Sequence, residues 1–214
     1  VVTERMPGLK SAAVGVWVLA GGQHEEAGET GIAHFLEHMA FKGTARRSAQ
    51  DIAEEIEDVG GYLNAYTSKE MTAYYARVLS EDVPRAIDLV SDIVLNPAFD
   101  AQEIAVERGV ILQEIGQVHD TPDDVIFDWL QEVSYPEQPF GRSILGPSEL
   151  VRRFDRAALQ AFTDRFYRPE RMILAAAGDV DHDAILRMAE ETFGGLARGA
   201  GPDAAPARFL GGEW

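Results

Sequence analysis

Apolar and polar positions follow two periods along this chain, one typical of helices and one typical of strands. Segments with apolar residues every three to four positions predict helices, and these are residues 31–41, 48–59, 83–95, 100–118, 121–133, 148–154, 155–166 and 181–193. Runs rich in β-branched or aromatic residues predict strands, and these are residues 1–6, 11–20, 62–67, 71–79 and 172–177. The poor alternation within 11–20 indicates a strand that is buried on both faces.

The segment 31–41 has the most informative pattern. Its apolar residues share one helical stripe and are Ile32, Phe35, Leu36 and Met39. His34, Glu37 and His38 fall on the opposite side, because each residue turns a helix by about 100°. Two imidazoles one turn apart can bind one metal ion, and a carboxylate beside them can take a proton from water. The order His-x-x-Glu-His is the inverted form of a common zinc-protease motif. Thr30 is expected to cap this helix.

Two simpler interpretations of this pair of histidines compete with a metal site. A buried histidine is usually a hydrogen-bonded core residue, but His34 and His38 lie away from the apolar stripe. A solvated helix face normally mixes charges, yet no Lys or Arg occurs between Thr30 and Phe41. The pattern therefore favours a metal site.

A second pattern is an acidic stripe in the helix predicted at 100–118. Glu103, Glu107 and Glu114 share one side, because steps of four and seven residues nearly complete whole helical turns. Arg108 is the only cation between residues 101 and 119, and it points elsewhere. Such a stripe is tolerated on a hydrated surface, or it faces a cation supplied from another part of the chain.

Composition narrows the possible partners. The chain has 214 residues, of which 46% are hydrophobic, enough for a sizeable core. Its net charge of −17 argues against nucleic acid as a partner, since phosphate binding requires a basic surface. The absence of Cys excludes disulfides and Cys–zinc sites. No signal peptide or apolar run of membrane length is present, so no membrane partner is expected. The compartment stays open, with a soluble, cytoplasmic protein favoured.

Three motifs together resemble the pitrilysin-type metallopeptidases. The run from His34 to Thr44 matches the family helix and its exit, and residues 60–67 match the strand that lies beside the substrate. The segment from Glu107 to Glu114 matches the part that carries the third metal ligand. The most similar branch contains the processing-peptidase beta subunit and its bacterial relatives. The resemblance extends from residue 1 to about residue 196.

The resemblance implies a zinc-dependent endopeptidase with one Zn²⁺ per chain. The implied zinc ligands are His34, His38 and Glu114. Glu37 would be the catalytic base that activates the bound water, and Glu107 would orient a ligand histidine from outside the coordination sphere. Asn64 and Ala65 would bind an extended peptide substrate along an edge strand.

The resemblance also implies the fold and the domain organisation. The expected fold is α+β, with a mostly antiparallel sheet and helices packed largely on one face. Family members have two similar halves, so residues 1–196 are expected to form the N-terminal metallopeptidase domain, and 197–214 a linker and the start of a second half. The expected partners are a peptide, the second half or a partner subunit, and another copy of this chain through self-association.

Two alternatives to a catalytic half stay open at this point. One is a non-catalytic subunit that binds peptides or acts as a scaffold; such relatives usually lose the zinc helix, whereas this chain keeps it. The other is a purely structural metal site, but structural zinc usually has four protein ligands and favours Cys. Even as a catalytic half, the isolated chain is expected to have low activity.

Overall fold

In the computed structural model, which describes residues 1–199 and 201–211, five strands form one sheet. The strands are β1 (Val2–Arg5), β2 (Ser11–Val18), β3 (Tyr62–Thr67), β4 (Thr72–Leu79) and β5 (Met172–Gly178). Their order across the sheet is β1-β5-β2-β4-β3. Only the β1–β5 pair is parallel among these strands. The sheet is therefore mostly antiparallel, as predicted.

The α-helices in the described residues agree with the predicted segments to within a few positions. They are α1 (Ile32–Ala40), α2 (Ala49–Glu57), α3 (Val83–Leu95), α4 (Ala101–Asp120), α5 (Pro122–Ser134), α6 (Ser148–Val151), α7 (Arg156–Phe166) and α8 (His182–Phe193). Side chains cap the start of several of these helices, as at α2 and α4. Ser48 and Asp51 form a capping box at α2, and the Asp100 carboxylate accepts hydrogen bonds from the first-turn amides of α4.

The helices pack largely on one face of the sheet, which confirms the predicted α+β class. Val14, Val16 and Val18 of β2 point into this core and are at most 1% exposed. The alternate residues face the other side, where Ser11 and Ala13 are exposed, Gly15 is buried and Trp17 is half-buried. The prediction that this strand is buried on both faces therefore holds around Gly15 but not at the start of the strand.

The prediction that Thr30 caps α1 was also wrong. The residue that precedes the helix is Gly31, whose φ of 98° is left-handed and whose position has no side-chain cap. The Thr30 hydroxyl instead donates to the carbonyl oxygen of Ala27 at 3.5 Å. The first amides of α1 must therefore find acceptors elsewhere in the chain.

The end of the chain has no regular secondary structure within residues 197–199 and 201–211, but parts of it contact the rest of the fold. Arg171 donates to the carboxylate of Asp203 at 2.6 Å, and the amide of Leu210 donates to the carbonyl of Ser134 at 3.0 Å. The part of the predicted linker and second-half start at Ala200 and at residues 212–214 lies outside the described residues. Across the described part of the chain, each helix is too short or too polar to cross a bilayer.

Candidate metal centre

Helix α1 is held in one rotational setting by its apolar stripe. Ile32, Phe35, Leu36 and Met39 are between 0% and 4% exposed. The opposite side of the helix carries His34, Glu37 and His38, which are only partly buried. The core thus holds the three polar side chains together on the opposite side of the helix.

Helix α4 packs against α1 and places a carboxylate opposite the two histidines. The Nε2 atom of His34 lies 3.7 Å from Oε2 of Glu114, and Nε2 of His38 lies 3.5 Å from the same oxygen. One potential ligand atom from each residue lies within 4.8 Å of the others. Ligands in a tetrahedral zinc site, with bonds of about 2.1 Å, are about 3.4 Å apart. The three groups therefore fit a zinc ion between them.

Glu107 is the buried member of the acidic stripe. The residue is 3% exposed, and its carboxylate accepts hydrogen bonds from Nδ1 of His38 at 2.9 Å and from Nζ of Lys42 at 2.7 Å. Burial disfavours the ionised carboxylate, but the hydrogen bonds from Lys42 and His38 outweigh it and hold the pKa of Glu107 below its ordinary value. Lys42, four residues after His38, is the cation that faces this member of the stripe. Its spacing from His38 is visible in the sequence, but that spacing does not reveal the partner on α4.

The two histidines differ in how their rings are held. Nδ1 of His38 donates to Glu107, which leaves Nε2 free to accept a metal ion. Nδ1 of His34 is buried and has no hydrogen-bond partner in the described residues. Burial, followed by the charge of His38, lowers the pKa of His34 to about 4. His34 is thus neutral at physiological pH, which is the form that binds metal.

Glu37 has the environment of a base. Burial raises the pKa of Glu37, and the charge of Glu114 adds to this effect, whereas the neighbouring Thr67 and His38 oppose it. The Thr67 hydroxyl is buried and has no hydrogen-bond partner with good geometry in the described residues. A carboxylate whose pKa is raised accepts a proton from water more readily than an ordinary one.

Two tyrosines that sequence reasoning missed, the buried Tyr74 and the half-buried Tyr167, lie within reach of the charge of Glu37. The hydroxyls of Tyr74 and Tyr167 lie 2.8 Å apart. Burial raises the pKa of both hydroxyls, and the negative charge of Glu37 raises them further. Both tyrosines therefore stay protonated. Because they are 93 positions apart in the chain, no local sequence pattern pairs them.

The exit of α1 is fixed by a buried ion-pair network. Gly43 has a left-handed φ of 109°, which turns the chain away from the helix. The Asp92 carboxylate, 1% exposed, then accepts hydrogen bonds from the Thr44 hydroxyl and from Arg47, each at 2.8 Å. Arg47 also donates to Glu55 at 2.6 Å. These contacts join the end of α1 to α2 and α3.

The residues predicted to bind substrate lie on β3, which is at the edge of the sheet next to α1. Asn64 is exposed, whereas the side chain of Ala65 is 8% exposed and packs in the core. The amide of Ala65 donates to the side-chain oxygen of Asn64 at 2.9 Å. The structure thus places both residues on an edge strand, with one strand amide engaged by a neighbouring side chain.

Two family models match the chain. Residues 1–148 match the model described as Insulinase (Peptidase family M16), and residues 153–211 match the model described as Peptidase M16 inactive domain. Strand β5 belongs to the second match, yet it lies between β1 and β2 of the first. The two matched segments therefore contribute to one sheet.

Individual relatives agree with these matches. A protein named "Uncharacterized zinc protease" from Rickettsia bellii is 44% identical over 213 residues, covering 100% of this chain and 52% of that protein. The mitochondrial-processing peptidase subunit beta of Saccharomyces cerevisiae is 45% identical over 202 residues, covering 94% of this chain and 44% of that protein. The chain thus spans about half the length of these relatives.

A solved structure confirms the fold. The crystal structure of a protease from Helicobacter pylori aligns with a TM-score of 0.88 at 20% sequence identity, covering 97% of this chain and 50% of that one. At this identity the likeness concerns the fold alone. The family models and the curated relatives go further and confirm the resemblance that the sequence motifs indicated. This chain belongs to the insulinase family of peptidases, family M16.

Proposed function

We propose that this chain is the catalytic half of a zinc-dependent endopeptidase that hydrolyses extended peptides. The observation that carries the proposal is the convergence of the two Nε2 atoms of His34 and His38 on the carboxylate of Glu114, with Glu37 beside them. The separations suit the ligands of a single zinc ion. Relatives named as zinc proteases and as a processing peptidase support the same activity.

In this proposal His34, His38 and Glu114 hold one zinc ion. When bound, zinc polarises a carbonyl oxygen and lowers the pKa of water. Glu37 takes the proton from the attacking water at its carboxylate and passes it to the leaving nitrogen of the cleaved peptide bond. Burial of Glu37 maintains its raised pKa, and the protonated Tyr74–Tyr167 pair adds no charge near it.

Glu107 and Lys42 act on His38 rather than on the substrate. Because Nδ1 of His38 donates to Glu107, the lone pair of His38 is confined to Nε2, which faces Glu114. Lys42 balances the charge of the buried Glu107 and fixes its second oxygen at 2.7 Å. The ring of His38 is thereby set in both its tautomer and its orientation.

The substrate is proposed to bind as an additional strand along β3. Main-chain hydrogen bonds to an edge strand accept many sequences and require an extended peptide. The side-chain oxygen of Asn64 accepts a hydrogen bond from the amide of Ala65. A bound peptide therefore displaces the Asn64 side chain from this amide and brings its scissile bond towards Glu37 at the neighbouring helix.

Closure of the site is proposed to need a second half, either covalently attached or supplied as a partner subunit. We assign residues 1–196 to the N-terminal metallopeptidase domain and 197–214 to a linker and the start of that second half. Relatives about twice as long as this chain support the assignment. Helix α5 also exposes Ile126, Phe127 and Leu130, an apolar surface suited to a covering partner or to self-association.

The test combines metal analysis with a cleavage assay. The chain is reconstituted with zinc at neutral pH, and hydrolysis of a quenched fluorescent peptide is followed with and without a second half. We expect about one zinc per chain, released in acid as the ligands protonate, with slow cleavage that accelerates when the second half is added. Folded protein that binds no zinc would overturn the metal centre. Zinc binding and peptide binding without cleavage, even with the second half, would favour the non-catalytic subunit.

A further inference from the structure

The start of helix α1 lacks the usual local cap, although this helix carries three of the proposed site residues. Its N-cap position is Gly31, which offers no side-chain acceptor. A larger capping residue does not fit there, because a Cβ atom on Gly31 would lie 2.5 Å from the carbonyl oxygen of Leu145. The acceptors for the first-turn amides therefore have to come from a residue outside the helix.

Glu25 supplies two of these acceptors from the loop that precedes the helix, while the carbonyl oxygen of Glu29 accepts from the amide of Ile32 at 2.9 Å. Its Oε2 atom accepts a hydrogen bond from the amide of Gly31 at 2.9 Å, and its Oε1 atom accepts one from the amide of Ala33, also at 2.9 Å. The residue is 3% exposed. A negative charge at this end of the helix also interacts favourably with the helix dipole.

We infer that Glu25 is a positioning residue for the proposed metal centre, which fixes the first turn of α1 and through it the imidazole of His34. The inference rests on the proposed function, since it assigns His34 as a zinc ligand. His34 follows Ala33 directly and is the third residue of the helix. Its ring lacks the side-chain partner that His38 has in Glu107, because Nδ1 of His34 has no hydrogen-bond partner in the described residues. The backbone of the first turn therefore has to hold His34.

Glu25 is itself fixed by a second loop. The guanidinium of Arg142 donates to the backbone oxygen of Glu25 at 3.1 Å, and Nζ of Lys69 donates to the backbone oxygen of Arg142. Gly146 lets this loop approach the start of α1, because a Cβ atom there would lie 2.2 Å from the carbonyl oxygen of Thr30. Residues distant in the chain thus fix the backbone of the residue whose carboxylate holds the helix.

The burial of the Glu25 carboxylate carries an electrostatic penalty. Burial raises the pKa of Glu25 to about 7, and the two amide hydrogen bonds, followed by the charges of Lys69 and Arg142, oppose this shift. A buried carboxylate is unfavourable unless donors satisfy it. Here the donors are the helix amides themselves, so the same contacts stabilise the carboxylate and fix the helix.

The test compares Glu25→Ala and Glu25→Gln with a matched control, Glu26→Ala. Glu26 is the next residue, its side chain is 77% exposed, and it lies 3.4 Å from Arg165 at the surface. The zinc dissociation constant of each folded variant is measured by competition with a chromogenic chelator, and thermal unfolding is measured on the zinc-free chain. We expect zinc affinity to fall about 10- to 100-fold in Glu25→Ala, as for other residues that orient a ligand. The zinc affinity of Glu25→Gln should fall less, since its amide oxygen keeps one of the two hydrogen bonds. The zinc affinity of Glu26→Ala should match that of the wild type.

A second measurement separates positioning from general destabilisation. The ring nitrogen NMR signals of His34 and His38 are recorded for the zinc-bound wild type and Glu25→Gln. We expect the His34 signals to change and those of His38 to stay, because Glu107 still holds His38. Equal changes at both histidines, or wild-type zinc affinity in both Glu25 variants, would overturn the inference and leave the proposed function intact. A folded wild-type chain that binds no zinc would overturn both. If Glu25→Ala does not fold, Glu25→Gln decides the outcome.

Discussion

Helices α1 and α4 contribute to the candidate site in opposite ways. Helix α1 has nine residues, most of them buried, and its three site residues lie within about one turn. Helix α4 has twenty residues, of which only Ile104, Glu107, Ile111 and Ile115 are buried. Its two site carboxylates are seven positions apart. A short buried helix positions its polar face through the core, whereas a long exposed helix positions each side chain through that side chain's own contacts.

The two carboxylates of α4 illustrate this dependence on local contacts. The side chain of Glu107 is 4% exposed and is engaged by His38 and Lys42. The side chain of Glu114 is 37% exposed and approaches only imidazole nitrogens, at 3.5 and 3.7 Å, among its ion pairs in the described residues. Glu107 has no oxygen left for a metal ion, whereas Glu114 is available to bind one. Two residues of the same type on the same stripe thus have different surroundings.

The largest effect is expected for the base on α1. Glu37→Gln should retain zinc and abolish detectable hydrolysis, because an amide cannot accept the proton; general bases contribute about 10²- to 10⁴-fold to rate. Zinc content and peptide cleavage are measured on the same preparation, with added second half. Loss of zinc in this variant would make Glu37 a ligand or a structural group instead of a base.

The next largest effect concerns the available carboxylate of α4. Glu114→Gln should weaken zinc binding strongly, because it removes one of three proposed protein ligands. Chelator competition against the wild-type chain measures the change in the dissociation constant. Unchanged affinity would show that the metal is held without Glu114.

A smaller effect is expected at the engaged carboxylate. Glu107→Gln should weaken zinc binding about 10- to 100-fold, less than Glu114→Gln, because it disturbs the orientation of His38 rather than a bond to the metal. The same competition assay ranks the two variants. Equal losses of zinc affinity in the two variants would show that Glu107 and Glu114 contribute alike to zinc binding.

The network at the exit of α1 should affect stability more than zinc binding. Burial disfavours ionised Asp92, but hydrogen bonds from Arg47 and Thr44 outweigh it and hold the pKa of Asp92 below its ordinary value of 3.8. This stabilisation is fully present above about pH 3.8 and is lost as the pH falls through the lowered pKa. Asp92→Asn should therefore reduce the free energy of unfolding by about 1–3 kcal/mol at neutral pH, and by less in acid. Urea unfolding at several pH values measures this difference, and a pH-independent difference would contradict it.

The smallest effect is expected at the first member of the acidic stripe. Glu103 forms no ion pair within the described part of the chain, and only its backbone amide contacts the Asp100 cap. Glu103→Gln should therefore bind zinc as the wild type does, in the assay used for Glu107 and Glu114. A marked loss would mean that the whole stripe, rather than two of its members, faces the metal.

Local sequence predicted most of the helices and strands, because capping residues and hydrophobic period act within a few positions. It also predicted that His34, Glu37 and His38 share one side of α1, since a helix sets that relation by itself. The family resemblance, rather than periodicity, singled out Glu107 and Glu114 from Glu103. The spacing of Lys42 from His38 was visible in the sequence, but its partner Glu107 lies on another helix.

Sequence alone thus determined the chemistry that this chain carries and the helix that presents it, because both depend on neighbouring residues. Tertiary structure decided that Glu107 is engaged by His38 and Lys42 while Glu114 faces the two imidazoles, and it placed the hydroxyl of Tyr74 against that of Tyr167. It also replaced the expected Thr30 cap with Glu25, because Leu145 leaves no room for a side chain at Gly31. These outcomes depend on contacts between residues far apart in the chain, and such contacts form only when the sheet and helices pack together.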